Sequence, residues 1–174
     1  MIAIVGNAPI SEEHMNEINT YPRVVRMNYC NNYRKNDVVT DVVYRYRNRK
    51  NGFVGNLSII DNASCVHFLD HNTIHCKNQM NELAKCKQYV TYHKHIQEKF
   101  PFNTIDSPST GYLVVLYMKY TYPDTPIHMY GFNWSSTELL KFHPILHEEK
   151  WNITSLQNVI IHESLKGYHH TFTI

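Results

Sequence analysis

Hydrophobic residues fall along this chain in short blocks separated by polar and turn-forming residues. Ile2 to Val5 is a continuous apolar run, and Arg23 to Met27 and Cys65 to Leu69 are blocks of similar length. Runs of this kind are typical of strands buried in a mainly parallel sheet. Further strands are predicted over Val38 to Tyr46, Leu57 to Ile60 and Ile127 to Tyr130.

The segments between these blocks carry helix signals. Ser11 is a candidate cap followed by the acidic residues Glu12 and Glu13, so a short helix is predicted over Ser11 to Asn19. Ser109 to Tyr120 is apolar nearly all round, which is typical of a buried helix. Helices are also predicted over Asn78 to Tyr89 and, as one or two helices, over Ile145 to Leu165.

The alternation of strands and helices predicts the fold class. It favours an α/β protein, a Rossmann-like three-layer α/β/α sandwich around a mainly parallel sheet. The chain has 174 residues, of which 43% are hydrophobic. That length suits a single domain, residues 1–174, with one substantial core.

We expect no membrane segment and a cytoplasmic location. The longest apolar runs, such as Gly111 to Met118, are far shorter than the roughly 20 residues that cross a bilayer. Met1 to Gly6 lacks the basic region and the long apolar stretch of a signal peptide.

The charge balance gives little support to nucleic acid as a partner. The formal net charge is +2, and the pI is near 8.3, which is only weakly basic. Arg45, Arg47 and Arg49 alternate with Tyr44 and Tyr46, which directs the arginines to one face of a strand. We interpret this face as a solvated strand edge, with contact to an acidic acceptor or a phosphate as the alternative.

Histidines offer one weak metal pattern. His67, His71 and His75 recur every four residues, a spacing that can bind zinc on a helix. However, the first of them lies in a predicted strand and the second in a predicted loop, and neither CxxC nor HExxH occurs. We therefore expect no metal site and no cofactor.

The start of the buried helix predicts an anion site. Ser107 fits the N-cap and Pro108 the first helical position. Ser109, Thr110 and Gly111 then lie in the first turn, where backbone N–H groups have no partner within the helix and favour an anion. Gly111 would let a ligand approach closely, although an ordinary capped helix explains the same residues.

Two strand ends carry candidate ligand-binding residues. Gly6 and Asn7 follow the first strand, and Asn28 follows the second. Ligands of open α/β sheets bind beyond the carboxyl ends of the strands, where asparagine can both donate to and accept from a base or ribose. The alternative is that these asparagines satisfy the turns of their own loops.

His143 and Glu148 form the third candidate group. Pro144 at a helix start would put His143 at the cap, where a histidine is available as a general base near neutral pH. Glu148 falls in the second turn and could orient the helix start. A surface histidine and a glutamate that compensates the helix dipole are the alternative.

Taken in order, these segments resemble the sialylmotifs of the animal-type sialyltransferases, glycosyltransferase family 29. Ile2 to Asn7, Val24 to Asn28 and Asp37 to Thr40 resemble the large motif: an apolar strand ending in Gly-Asn, an Arg-Met-Asn strand and an Asp-Val segment. Pro108 to Gly111 and His128 to Phe132 resemble the small motif, in which a Pro-Ser-Thr-Gly helix start leads to a strand ending in Tyr-Gly-Phe.

The resemblance extends to about residue 150. His143 and Glu148, five residues apart, resemble the very small motif. The resemblance implies a variant of the GT-A nucleotide-sugar transferase fold and an inverting, metal-independent transfer. A CMP-sugar would be the donor, carrying sialic acid or a related keto-acid sugar such as Kdo, and a glycan hydroxyl would be the acceptor.

The resemblance also implies residue roles. Asn7 and Asn28, with Gly6, would contact the nucleotide. Ser109, Thr110 and Gly111 would hold the donor phosphate or the sugar carboxylate. His143 would deprotonate the acceptor hydroxyl, and Glu148 would be an orienting residue.

The chain departs from the family pattern at several points. The cysteines that open the large motif and follow the helix of the small motif are absent from Met1 to Ala3 and Tyr120 to Pro123, and no His-Tyr-Tyr-Glu-like motif lies in Asn133 to Phe142. The chain resembles a catalytic core without anchor or stem, as expected in a bacterium or virus. A non-catalytic module that binds CMP, a nucleotide sugar or a glycan is the alternative, and a nucleic-acid protein is a third.

Overall fold

The computed structural model describes residues 1–48, 51–69, 74–85, 87–92, 108–133 and 145–165. Its strands are β1 (Ile2–Val5), β2 (Arg23–Met27), β3 (Asp41–Asn48), β4 (Gly52–Val54), β5 (Cys65–Leu69), β6 (Gln88–Tyr92), β7 (Ile127–Phe132) and β8 (Val159–Glu163). Its helices are α1 (Glu12–Ile18), α2 (Ile74–Ala84), α3 (Thr110–Thr121) and α4 (Ile145–Thr154), with a 3₁₀ helix at Leu57–Asn62.

The strands of the described residues form one sheet in the order β6-β5-β3-β2-β1-β7-β8. Every neighbouring pair in this order is parallel. The antiparallel strand β4 pairs with the second half of β3, where Arg45 lies opposite Val54. The sheet order and the helices on both faces confirm the predicted α/β sandwich.

The two faces of β1 show how the layers are built. Ile2 and Ile4 pack in a cluster with the residues of α3, whereas Ala3 and Val5 pack with Met15 and other residues of α1. Helix α4 contributes to the α3 side, and α2 covers the α1 side beside β3 and β5. As predicted, α3 is a buried helix, and each apolar side chain it buries contributes about 1.5–3 kcal/mol.

Two predicted elements differ in the structure. Residues 57–60, predicted as a strand, begin the 3₁₀ helix. Leu57 and Ser58 are exposed and Ile59 and Ile60 are buried, a pattern that fits neither the alternation of a half-buried strand nor the continuous burial of a central one. The tail from Ile145 is helical only to Thr154. Asn158 then turns the chain with a φ of +61°, and its carbonyl accepts the N–H of Ile127 at 2.8 Å as β8 joins the sheet.

None of the helices in the described ranges combines the length and the apolar character needed to cross a bilayer.

Candidate functional site

The strand order places the candidate site beside β1. The chain passes from β1 through β2 to β3 on one side, and it returns later with β7 on the other side of β1. Ligands of open α/β sheets bind at such a reversal, beyond the carboxyl ends of the strands. Gly6 and Asn7, which follow β1, and Asn28, which follows β2, all lie at this edge of the sheet.

Close packing of backbones accounts for Gly6. Its N–H donates to the carbonyl of Tyr130 at 2.8 Å, and the N–H of Ala8 donates to the carbonyl of Gly131 at 2.9 Å. A Cβ on Gly6 would overlap the carbonyl oxygen of Gly131, which itself has a φ of +69°. Glycine is therefore required at position 6 to bring the ends of β1 and β7 together.

Asn7 connects the loops that follow β1 and β2. Its Nδ2 donates to the carbonyl of Met27 at 3.4 Å, and its Oδ1 accepts the N–H of Asn31 at 3.1 Å. Asn32 strengthens the connection by donating from Nδ2 to the carbonyls of Gly6 and Ala8, at 3.0 and 2.7 Å. The structure thus gives Asn7 a role in shaping the edge of the site.

Asn28 joins the end of β2 to the start of α3. Its Nδ2 donates to the hydroxyl Oγ1 of Thr110 at 3.3 Å, although the two residues are 82 apart in the sequence. Its Oδ1 accepts the N–H of Arg45 at 3.3 Å, and its φ of +53° is one that asparagine adopts more readily than most residues. Asn28 and Thr110, predicted to share a site, are therefore in direct contact.

Helix α3 starts two residues later than the sequence predicts. Ser109 is the N-cap, with extended backbone, and its hydroxyl accepts the N–H of Tyr112 at 3.2 Å. Pro108 precedes the cap, and its carbonyl accepts a hydrogen bond from Nη1 of Arg45 at 2.7 Å. The first turn therefore begins at Thr110, and Ser107 lies outside the described residues.

Glu149 fixes the cap from helix α4. Its carboxylate accepts the N–H of Ser109 on Oε1 and the hydroxyl of Ser109 on Oε2, both at 2.6 Å. The side chain is 0% exposed, and burial raises its pKa above the usual value while the two bonds from Ser109 lower it. The neighbouring Glu148, predicted as the orienting residue, is exposed.

The space beside Gly111 is filled by protein. A Cβ at this position would overlap the ring of Phe132, which lies at the end of β7. The packing of this ring against the helix explains the glycine without a ligand. The N–H groups of Thr110 and Gly111 have no acceptor within the helix, and the structure assigns them none among the described residues.

The resulting arrangement suits a negatively charged group. Two backbone N–H groups at the positive end of a twelve-residue helix lie beside the hydroxyl of Thr110 and the amide of Asn28. Thr110 is only 8% exposed, and hydrogen bonds to an anion are stronger when water is excluded. The free N–H groups and the hydroxyl therefore suit a phosphate or a carboxylate.

His143, the predicted general base, lies outside the described residues. Its position relative to Thr110 and Asn28 stays a prediction.

The structure adds residues that the sequence did not single out. Arg26 is buried, and its Nε donates to the carbonyl of Val38 at 3.1 Å while Nη1 donates to the carbonyl of Asn32 at 3.3 Å. It therefore shapes the loop that carries Asn32. The signal for Arg26 was its charge inside an apolar strand, which few sheets tolerate unless the group is paired.

No known protein family and no curated protein matches the sequence. The structure is similar to that of a mutant of the α-2,3/8-sialyltransferase CstII, with a TM-score of 0.52 and 12% identity over 92% of this chain and 81% of that chain. A structure of the sialyltransferase CST-II in complex with a trisaccharide acceptor and CMP gives a TM-score of 0.48 and 12% identity over 92% of this chain and 80% of that one. The first of these similarities shows a common α/β fold.

Proposed function

We propose that this chain is an inverting glycosyltransferase that moves sialic acid, or a related keto-acid sugar such as Kdo, from a CMP-sugar to a glycan hydroxyl. The contact between Asn28 and Thr110 at the reversal of the strand order carries the proposal. The fold shared with the sialyltransferase CstII mutant supports it, as do the sialylmotif-like segments that supply both residues.

The charge of the donor fits the start of α3. A CMP-sugar of this kind carries a phosphate and a carboxylate, and the N–H groups of Thr110 and Gly111 would hold one of them. Because Ser109 already bonds to Glu149 through its N–H and hydroxyl, its role is to fix the turn. Asn28, with Gly6 and Asn7 beside it, would face the cytidine.

His143 would remove the proton of the acceptor hydroxyl as that oxygen attacks the anomeric carbon of the donor and CMP leaves. In this proposal Glu148 orients the start of α4. Charge on the departing phosphate would be stabilised by the helix N-terminus, so no metal ion is required for the transfer.

A turnover assay with CMP-sialic acid, and separately CMP-Kdo, tests this proposal. We expect CMP release that depends on a glycan acceptor and does not rise when Mg²⁺ is added. His143→Ala should lower turnover by roughly 10²–10⁴-fold, the usual contribution of a general base, with CMP affinity unchanged.

Two results would contradict parts of this proposal. Turnover retained in His143→Ala would show that another group acts as the base. CMP binding without turnover of either donor in the native chain would favour the binding module over the enzyme.

A further inference from the structure

A group of polar aromatic side chains fills the space between α1, β7 and β8. Nδ1 of His128 on β7 and Nε2 of His162 on β8 are hydrogen-bonded at 3.0 Å. The ring of His14 on α1 meets that of His162 edge-on, with centroids 5.2 Å apart, and Tyr130 stacks on His162 at 4.1 Å. Residues 14, 128 and 162 are brought together only by the fold.

Three of the side chains present ligand atoms to one another. One ring nitrogen each of His14 and His162 and one carboxylate oxygen of Glu17 lie within 4.8 Å of each other. His14 and Glu17 are three residues apart on α1 and therefore share a helix face. Two histidines and one glutamate form a known ligand set for zinc, with a water in the fourth position.

A buried atom in this group has no hydrogen-bond partner. Nδ1 of His14 is shielded from solvent, and none of the described residues donates to it or accepts from it. Buried polar atoms are paired in the great majority of cases, and a bound ion is one of the recognised explanations of an exception. The neighbouring carboxylate of Glu17 makes a cation the better explanation.

His128 holds the ring of His162 in place. Nδ1 of His128 and Nε2 of His162 are hydrogen-bonded at 3.0 Å, and such outer partners orient metal-binding histidines.

We propose that His14, Glu17 and His162 form a zinc site that ties α1 to strand β8. Helix α1 has only seven residues, too few to be stable alone, and β8 pairs with β7 along one side. A cation held by both elements would join segments that are 145 residues apart and stabilise the fold.

This site is separate from the candidate sugar-nucleotide site. Val5 and Tyr130 pack on the α1 side of the sheet, whereas Ile4 and Met129 pack on the side of α3. The zinc proposal therefore does not depend on the proposed transferase activity.

Zinc chloride titrated into metal-free protein, followed by calorimetry and thermal unfolding, tests the proposal. We expect one saturable Zn²⁺ per chain and a rise in Tm. His14→Ala, Glu17→Gln and His162→Ala should each weaken binding at least tenfold and abolish the rise. Glu13→Gln, which removes an exposed carboxylate from the same helix, should behave like the native chain.

The absence of saturable binding, or variants that bind as tightly as Glu13→Gln, would overturn the proposal. Co²⁺ gives a second readout on the native chain should a variant fail to fold. The strong visible absorption of a four-coordinate ion, displaced by Zn²⁺, is expected, and the weak spectrum of a six-coordinate ion would contradict it.

Discussion

Three consecutive residues at the end of β2 have three different structural roles. Arg26 points to the α1 face and ties down the following loop, Met27 packs against α3 in the core, and Asn28 reaches the hydroxyl of Thr110. Alternation along the strand separates the first two, and the left-handed conformation of Asn28 turns the third towards the helix. One short segment thereby connects both layers of the fold to the candidate site.

Two glycines at the site should differ in their tolerance of a side chain. In Gly6→Ala the new Cβ meets the backbone of Gly131, whereas in Gly111→Ala it meets the ring of Phe132. The ring of Phe132 can rotate to make room, whereas the paired end of β7 cannot. In a helix, alanine is also favoured over glycine by about 1 kcal/mol. Urea unfolding should show a loss of about 1–3 kcal/mol for Gly6→Ala and a smaller loss for Gly111→Ala; the reverse order would contradict this packing.

Asp41 should make the protein sensitive to acid. Burial by itself would raise its pKa, but hydrogen bonds from His67, Arg23 and Thr40 overcome this and hold the pKa well below its usual 3.8. Because the folded pKa is depressed, the resulting stability is present above pH 3.8 and is lost as the pH falls below it.

Asp41→Asn is the corresponding variant. We expect its free energy of unfolding to fall by about 1–3 kcal/mol at pH 7, because the buried His67 and the partly exposed Arg23 lose their charged acceptor. Between pH 4 and pH 2 it should then lose less stability than the native chain does. Urea titrations across this range measure both effects, and an equal loss in the two proteins would contradict the assignment.

The sequence reveals site residues only where backbone geometry determines their place. Asn28 and Thr110 were predictable as neighbours because strand ends and helix starts meet at one edge of an α/β sheet. Glu149 was not, because its contact with Ser109 spans 40 residues and depends on how α4 packs. The same is true of His14, Glu17 and His162, which lie on two elements that no local pattern connects.

At the scale of the elements, the cap of α3 links stability to the candidate site. Ser109→Ala removes the acceptor for the N–H of Tyr112 and the donor to Glu149, so the first turn should fray and displace the N–H groups of Thr110 and Gly111. We expect a loss of about 1 kcal/mol in stability and weaker binding of CMP.

Ser11→Ala is a matched control. Ser11 caps α1 through the N–H of His14 at 3.2 Å, on the other face of the sheet. It should cost similar stability without changing CMP affinity, as measured by unfolding and calorimetry. If both variants weaken CMP binding equally, the cap of α3 has no specific role in holding CMP, which would contradict this prediction.

Element boundaries were predictable where hydrophobic blocks had clear ends. β1, β2 and β5 match the predicted strands because their apolar runs are short and bounded by polar residues. The helix predicted over Asn78 to Tyr89 instead spans the end of α2 and the start of β6. Lys85 ends this helix with a φ of +50°, a conformation that glycine normally signals.

At the scale of the molecule, the two faces of the sheet carry two different candidate sites. Its α3 side carries the helix start that can hold an anion, and its α1 side carries the histidine cluster. Both depend on β7, which lies between β1 and β8 and places Gly131 and His128 in the same strand. The order of the strands, which the sequence alone did not predict, is therefore what assembles both sites.

Calorimetric titration of CMP into the native chain and into Thr110→Val tests whether the start of α3 holds the phosphate. We expect the native chain to bind CMP, and we expect the loss of one hydroxyl bond to the phosphate to weaken binding about tenfold. No binding of CMP by the native chain, or equal affinity in the folded Thr110→Val variant, would contradict it.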